Sequence, residues 1–114
     1  MENEVNYVYN AKVVSVYDGD TITVDIDLGF KVMVKKESIR LWGINTPEVR
    51  GDSKVEWKKV RDYVRERILW KDIILKSYKG KKWKYGRWLW EVIIDWVNLN
   101  DELVEMWYAV EYLR

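Results

Sequence analysis

Cysteine and histidine are both absent from this chain of 114 residues. Without cysteine the protein forms no disulfides and has no thiolate nucleophile. Without histidine it lacks the commonest zinc ligand and the base of a serine–histidine–aspartate triad. Any catalysis must therefore rely on carboxylates and arginines, and any metal is expected to be a hard cation bound through oxygen.

The sequence also lacks a long apolar run and a large excess of charge. No stretch approaches the roughly 20 apolar residues of a membrane-spanning helix, so we expect no membrane partner. The net charge is only +1, so any binding of nucleic acid must depend on a local basic patch. The acidic start at residues 1–4 has no signal-peptide layout. We expect a cytoplasmic protein unless a leader was trimmed, and a monomer in which residues 1–114 form one domain.

The N-terminal part of the chain alternates apolar and polar residues, which is typical of half-buried strands. Val14 and Val16 alternate with polar neighbours in the first segment, and residues 22–28 do so in the second, after a turn at residues 18–20. A third strand is expected over residues 32–46, before a proline that cannot donate to a central ladder. The pattern predicts an antiparallel meander.

Helical periodicity begins after a short polar loop and predicts a helix over residues 54–69. Its apolar residues are Trp57, Val60, Val64 and Ile68. Strands are predicted over 72–78 and 88–95, and a short helix over 100–106. The order favours a mainly β, α+β fold: a five-stranded Greek-key barrel of the OB type, with a helix after strand 3 and a short C-terminal helix.

Oxygen-bearing side chains cluster at two turns. Asp18 and Asp20 flank a glycine, and Asn45 and Thr46 follow the third strand. A turn alone accounts for such residues in many proteins. If the two turns meet, however, Asp20, Asn45 and Thr46 can supply the carboxylate, amide and carbonyl oxygens that calcium or magnesium takes.

Two charged residues near the third strand suggest phosphodiester chemistry. Glu48 follows a proline at the strand end, where its carboxylate could act as a general base on a metal-bound water. Arg40 lies in an otherwise apolar strand, so it is expected to face a carboxylate or an anionic ligand. A structural ion pair remains the alternative for Arg40.

Four motifs in this order and spacing resemble the staphylococcal nuclease (thermonuclease) family. The motifs are Asp18-Gly19-Asp20-Thr21, then Ile39-Arg40-Leu41 leading to Thr46-Pro47-Glu48, then Lys84-Tyr85-Gly86-Arg87, and last Leu99-Asn100-Asp101-Glu102-Leu103-Val104. Each motif alone is weak, but together they span nearly the whole chain. That family's OB-type fold is similar to the barrel predicted above.

The resemblance implies a calcium-dependent nuclease acting on DNA and RNA with little sequence preference. It implies that Asp20, Asn45 and the Thr46 carbonyl hold the calcium, and that Glu48 activates water. Arg40 and Arg87 would hold the phosphate and stabilise its developing charge.

The resemblance further implies that Lys84 and Tyr85 contact the substrate beside the reacting phosphate. They belong to a segment, residues 76–87, with six basic residues and interleaved aromatic rings. Such a segment suits single-stranded nucleic acid, because rings stack on any base while lysines follow the phosphates. A solvated hairpin tip is the simpler alternative.

Asn45 departs from the pattern of many family members, which have aspartate at this position. The amide still offers an oxygen, but the missing charge predicts weaker calcium binding. A catalytically silent OB module that binds nucleic acid or a protein partner is therefore the rival hypothesis. The intact set of Arg40, Glu48 and Arg87 argues against it.

The sequence has eight tryptophans and six glycines. Trp70, Trp96 and Trp107 stand at expected helix ends or in an expected hairpin turn, where glycine is usual. The family resemblance leads us to expect small residues at three more: Trp57, Trp83 and Trp90. Either these are true tryptophans, for example in a stacking surface, or they are glycines encoded by a reassigned UGA codon. We predict positive φ or local strain at Trp70, Trp96 and Trp107.

Overall fold

The computed structural model describes residues 7–47, 54–79 and 88–112. The first five elements are β1 (Tyr7–Asp18), β2 (Thr21–Gly29), β3 (Val32–Arg40), β4 (Ile44–Asn45) and α1 (Lys54–Ile68). The remaining five are β5 (Asp72–Lys79), β6 (Trp88–Ile94), β7 (Val97–Asn98), α2 (Leu99–Glu105) and β8 (Val110–Glu111). The protein is mainly β with two helices in this part of the chain, as the sequence predicts.

Strands β1, β2 and β3 form the predicted antiparallel meander, but its register differs from simple alternation. The pairing of β1 with β2 shifts between Val13 and Ser15. Because a shift of this kind changes which side chains face inward, Val13 is fully buried whereas Val14 is only partly covered. The expected core position at Val14 is therefore wrong by one residue, while Val16 is buried as expected.

The main sheet has six strands in the order β3-β2-β1-β5-β6-β7, and β4 pairs with β8 in a separate two-stranded sheet. The predicted third strand is thus divided, because its last part leaves the main sheet after Arg40 and joins the C-terminal segment. An isolated parallel bridge links Leu41 to Trp90 on β6. This bridge brings the two sides of the sheet together as in an OB-like barrel, although the described strands do not form a closed ring.

Helix α1 covers the sheet by packing on β1 and ends one residue before the predicted boundary. All four predicted stripe residues are buried: Trp57, Val60, Val64 and Ile68. Helix α2 starts one residue earlier than predicted, at Leu99, and its N-cap Asn98 accepts a hydrogen bond from the backbone N–H of Asp101. No helix in the described ranges is long and apolar enough to cross a membrane.

The predicted left-handed backbone at three tryptophans is confirmed. The φ angles are 64° at Trp70, 66° at Trp96 and 64° at Trp107. Each of the three side chains is exposed.

Candidate metal and phosphate site

The turn between β1 and β2 holds two buried carboxylates. Oδ1 of Asp18 accepts a hydrogen bond of 3.1 Å from the backbone N–H of Asp20. The backbone oxygen of Asp20 in turn accepts one of 2.8 Å from the N–H of Leu41, just after β3. The turn is therefore fixed to the chain segment that carries the other predicted site residues.

Gly19 is the point of closest packing in this turn. A Cβ atom added there would lie 2.6 Å from Cγ1 of Val60 on α1 and 2.8 Å from Cγ2 of Thr46. Real Cβ atoms essentially never come so close to another heavy atom. Glycine is thus required for space, and it allows α1 and the segment after β4 to approach the turn.

Arg40, the last residue of β3, reaches across to this turn. Its Nη2 lies 3.3 Å from Oδ2 of Asp20 and donates at 3.3 Å to the backbone oxygen of Ile44. The same nitrogen donates to Oδ1 of Asn45. The expected convergence of Asp20, Arg40 and Asn45 is thus present, and the ion pair expected as the alternative for Arg40 is formed.

Thr46 completes the group from the other side. Its backbone N–H donates to Oδ2 of Asp20 at 3.1 Å. Its side chain is buried, and Oγ1 has no hydrogen-bond partner among the described residues. Oδ2 of Asp20 therefore accepts from both the Arg40 guanidinium and the Thr46 backbone, and Oδ1 of Asn45 accepts from the same guanidinium nitrogen.

The electrostatics of the turn favour the protonated form of Asp18 more than in a free carboxyl group. Burial, together with a hydrogen bond and charge repulsion from Asp20, raises the pKa of Asp18 to about 6.

Two further residues position the site, and neither was predicted from the sequence as a site residue. The backbone N–H of Tyr112 donates to the oxygen of Gly43 at 2.8 Å, and its ring lies 5.9 Å from the Arg40 guanidinium carbon. The fully buried Asn100 on α2 donates to the backbone oxygen of Trp42. For Asn100, the only signal in the sequence was its place in the last family-like motif.

A comparison with known protein families identifies the family of this chain. The model of the family described as "Staphylococcal nuclease homologue" matches residues 38–114. The chain belongs to the staphylococcal nuclease family. The match includes Arg40 at the end of β3 and the following segment with Asn45 and Thr46.

Two curated relatives of this staphylococcal nuclease homologue cover most of the chain. A thermonuclease of Staphylococcus hyicus is 32% identical over 90% of this chain and 57% of its own length. An uncharacterised protein of Methanocaldococcus jannaschii is 30% identical over 92% of this chain and 60% of its own length. The chain thus spans somewhat more than half the length of either relative.

The site's donor atoms fit a hard cation. Calcium takes carboxylate, amide and backbone carbonyl oxygens. Asp20 and Asn45 already direct two such oxygens at a positive charge, the guanidinium of Arg40. Within the described ranges no group of three or more acidic side chains is placed so that it could hold a metal ion.

Four of the predicted site residues lie outside the described part of this family member. They are Glu48, Lys84, Tyr85 and Arg87. Their roles therefore stay predictions from the sequence. The described part brings together the other four: Asp20, Arg40, Asn45 and Thr46.

Proposed function

We propose that this protein is a calcium-dependent phosphodiesterase that hydrolyses DNA and RNA with little sequence preference. The observation that carries the proposal is the convergence of Asp20 and Asn45 oxygens on the guanidinium of Arg40. Membership of the staphylococcal nuclease family and the similarity to a thermonuclease support the same class of reaction.

Asp20, Asn45 and the carbonyl oxygen of Thr46 would hold the calcium. When bound there, calcium would act as a Lewis acid on a phosphate oxygen and lower the pKa of a water molecule. The buried Asp20 supplies the negative charge, and Asn45 supplies only a dipole. These three ligands carry less negative charge than a site with two carboxylates. We therefore expect calcium to bind weakly.

Arg40 has two roles in this proposal. In the structure it neutralises the buried carboxylate of Asp20 at 3.3 Å. With calcium and nucleic acid present, the guanidinium would leave Asp20 and Asn45 and contact the phosphate. Its side chain is 43% exposed, so part of it already faces solvent, where a phosphate would arrive.

Glu48 would take a proton from the attacking water as the new phosphorus–oxygen bond forms and the bond to the leaving oxygen breaks. Arg40 and Arg87 would stabilise the negative charge on the phosphate oxygens during this in-line displacement. Lys84 and Tyr85 would hold the neighbouring phosphate and nucleotide. Contacts of this kind touch the backbone, which agrees with little sequence preference.

Single-stranded substrates are expected to be preferred. The segment of residues 76–87 combines six basic residues with aromatic rings. Stacking on such rings requires bases that are free of a duplex.

The test is cleavage of end-labelled single-stranded DNA, duplex DNA and RNA by the purified protein. Calcium should support cleavage and EDTA should abolish it. Glu48→Gln should reduce kcat by about 100-fold to 10,000-fold, as expected for loss of a general base. Glu66→Gln, the same change on the exposed side of α1, should leave kcat unchanged.

Two outcomes would contradict the proposal. Cleavage that survives both EDTA and Glu48→Gln would exclude the calcium mechanism and the base. Binding of single-stranded DNA without cleavage in any condition would instead assign the chain to the catalytically silent modules.

A further inference from the structure

Three tryptophans lie in a backbone conformation that favours glycine. Trp70, Trp96 and Trp107 have φ between 64° and 66°. In this left-handed region the Cβ atom of an L-residue crowds the following carbonyl oxygen, and only glycine is free of that cost. Tryptophan, with its large side chain, is an unexpected residue at all three positions.

Trp107 occupies the C′ position of a Schellman motif at the end of α2. The C-cap is Met106, the N–H of Trp107 donates to the oxygen of Val104 at 3.1 Å, and the N–H of Tyr108 donates to that of Leu103 at 2.9 Å. This pair of bonds defines the motif, and its left-handed C′ residue is usually glycine.

Trp96 occupies the second central position of a two-residue hairpin. Ile94 on β6 pairs with Val97 on β7, and the two residues between them have φ of 49° at Asp95 and 66° at Trp96. Positive φ at both positions is the signature of a type I′ turn. The preferred pairs in such a turn are Asn-Gly and Asp-Gly, so the sequence Asp95-Trp96 has the expected aspartate and lacks only the glycine.

Trp70 follows the end of α1 by two residues. Its N–H donates to the oxygen of Val13 on β1 at 2.8 Å, and the N–H of Lys71 donates to the oxygen of Ile68 at 3.0 Å. These bonds fix the left-handed residue between the helix and β5. The chain cannot relax there without losing the bond to β1.

The three indoles provide no packing that would offset this strain. Trp70 is 65% exposed, Trp96 89% and Trp107 93%. Within the described part of the chain none of them has a ring contact or a side-chain hydrogen bond. Trp42 differs, because it is partly buried and its ring lies 6.3 Å from that of Tyr78.

Left-handed φ alone does not distinguish these sites. Phe30, Lys31 and Lys36 also have positive φ. Phe30 and Lys31 even fill a two-residue turn of the same kind, between the paired Gly29 and Val32. What distinguishes the tryptophans is that Trp70 and Trp107 follow the C-termini of the two described helices and that one bulky residue type recurs at three positions that favour glycine. The sequence as a whole has eight tryptophans and only six glycines.

We propose that positions 70, 96 and 107 are glycines in the natural protein, encoded by UGA codons. Tryptophan would then stand at these positions only because UGA was translated as tryptophan, whereas the organism reads it as glycine. The rival explanation is true tryptophan at all three positions, kept as an exposed stacking surface.

Trp57 gives independent support for extending the proposal to further tryptophans. Its indole is buried on α1, yet Nε1 has no hydrogen-bond partner among the described residues. A buried indole N–H normally has one.

The decisive experiment reads the gene and the native protein together. The codons at 70, 96 and 107 are read from genomic DNA, and the natural protein is digested and its peptides identified by mass spectrometry. We expect UGA at the three sites and glycine in the peptides, with UGG and tryptophan at the control position Trp42. UGG codons at the three sites, or UGA codons with tryptophan in the peptides, would overturn the proposal.

A recombinant series tests the structural basis separately. Trp107→Gly should raise the melting temperature by a few degrees and Trp107→Ala should not, because only glycine relieves the left-handed backbone. Trp42→Gly, the same change at a packed ring, should lower the melting temperature. An unchanged or lower value for Trp107→Gly would remove the structural argument.

Discussion

The side-chain amide of Asn100 donates a hydrogen bond of 2.9 Å to the backbone oxygen of Trp42, 58 residues earlier in the chain. The same nitrogen reaches the oxygen of Trp90 at 3.1 Å, and Oδ1 accepts from the N–H of Val92 at 3.2 Å. One fully buried side chain on α2 thus satisfies backbone groups of β6 and of the segment leading to Asn45. Asn100 therefore helps to position the candidate site without touching it.

Asn100→Ala is expected to destabilise the fold. It would remove hydrogen bonds from three backbone groups. The oxygen of Trp90 would keep the bond from the N–H of Trp42, whereas the oxygen of Trp42 and the N–H of Val92 would lose the Asn100 partner, and each such loss costs about 1 to 3 kcal/mol. Some of these groups will find water, so we expect a total loss of about 2 to 4 kcal/mol in the free energy of unfolding. Urea unfolding measures this value. Asn10→Ala, at an exposed position on β1, is the control, and a comparable loss there would contradict a special role for Asn100.

Gly19→Ala tests the close packing of the β1–β2 turn. The new methyl group would contact Val60 and Thr46 at less than 3.0 Å, so the turn and Thr46 must move apart. Overpacking of this kind typically costs about 1 to 3 kcal/mol, and displacement of Thr46 should weaken calcium binding. Unfolding in urea and calorimetric calcium titration give the two values.

Gly29→Ala is the matched control for that experiment. Gly29 has φ of +83°, but nothing lies within 4 Å of an added Cβ. Its substitution should cost about 1 to 2 kcal/mol through the backbone alone and leave calcium affinity unchanged. Equal effects of the two variants on calcium affinity would contradict the role assigned to Gly19.

The predictable parts of this protein are those with local periodicity. The helical spacing of the apolar residues from Trp57 to Ile68 predicted the bounds of α1 to within one residue. Such a prediction needs no knowledge of the packing partner, because a helix buries its apolar face whatever it packs on. The convergence of Asp20 with Asn45 followed from recognising two turns of one family pattern. The two turns are distant in the sequence, so local periodicity carries no sign of their contact.

The unpredicted parts depend on contacts between distant segments. The shift after Val13 comes from irregular pairing with β2 and leaves no mark in the alternation of residues. Strands β7 and β8 have two residues each, too few to show a period. The six-stranded sheet, in place of five strands, follows from such short elements.

Asn45→Asp is expected to tighten calcium binding. The substitution adds a carboxylate beside Asp20 at a position that already directs an oxygen at a cation. A second charge should lower the calcium Kd by about tenfold or more, which corresponds to about 1.4 kcal/mol. Calorimetry without nucleic acid measures the affinity independently of cleavage. Asn10→Asp, the same change on exposed β1, should have no effect, and an unchanged Kd for Asn45→Asp would exclude Asn45 as a ligand.

Arg40→Gln tests whether the guanidinium competes with calcium for Asp20 and Asn45. Without the positive charge, calcium should bind more tightly, while the calcium-free protein should lose about 1 to 3 kcal/mol because a buried carboxylate loses its partner. The control is Lys35→Gln, which removes one positive charge from an exposed pair with Asp25 on the hairpin of β2 and β3. Weaker calcium binding by Arg40→Gln would show that Arg40 supports the metal site rather than competing with it.

Glu102 should make the fold sensitive to acid. Burial favours the protonated form of Glu102, but hydrogen bonds from Arg67 at 3.2 Å and from the Tyr63 hydroxyl at 2.8 Å outweigh it and lower the pKa of this carboxyl below 4.5. Because the pKa is lower in the folded state, the stabilisation is complete above the unfolded pKa and is lost as the pH falls through the folded value. Arg67 also faces Asp95 at 3.6 Å, and that carboxylate is largely exposed.

The pH dependence is best measured as a difference between two proteins. Asp18 has the opposite pH dependence. Its pKa is raised to about 6 because its proton binds more tightly to the folded state, so its stabilisation of the fold is present at low pH and is lost as the pH rises. This contribution is common to wild type and Glu102→Gln and cancels when their free energies of unfolding are subtracted. The difference should be about 1 to 3 kcal/mol near neutral pH and shrink as the pH falls through the lowered pKa of Glu102, because protonated Glu102 and glutamine are then alike. Glu105→Gln, on the exposed side of the same helix, should show no such trend. A difference between wild type and Glu102→Gln that stays constant with pH would mean that Glu102 stabilises α2 by packing and not by its charge.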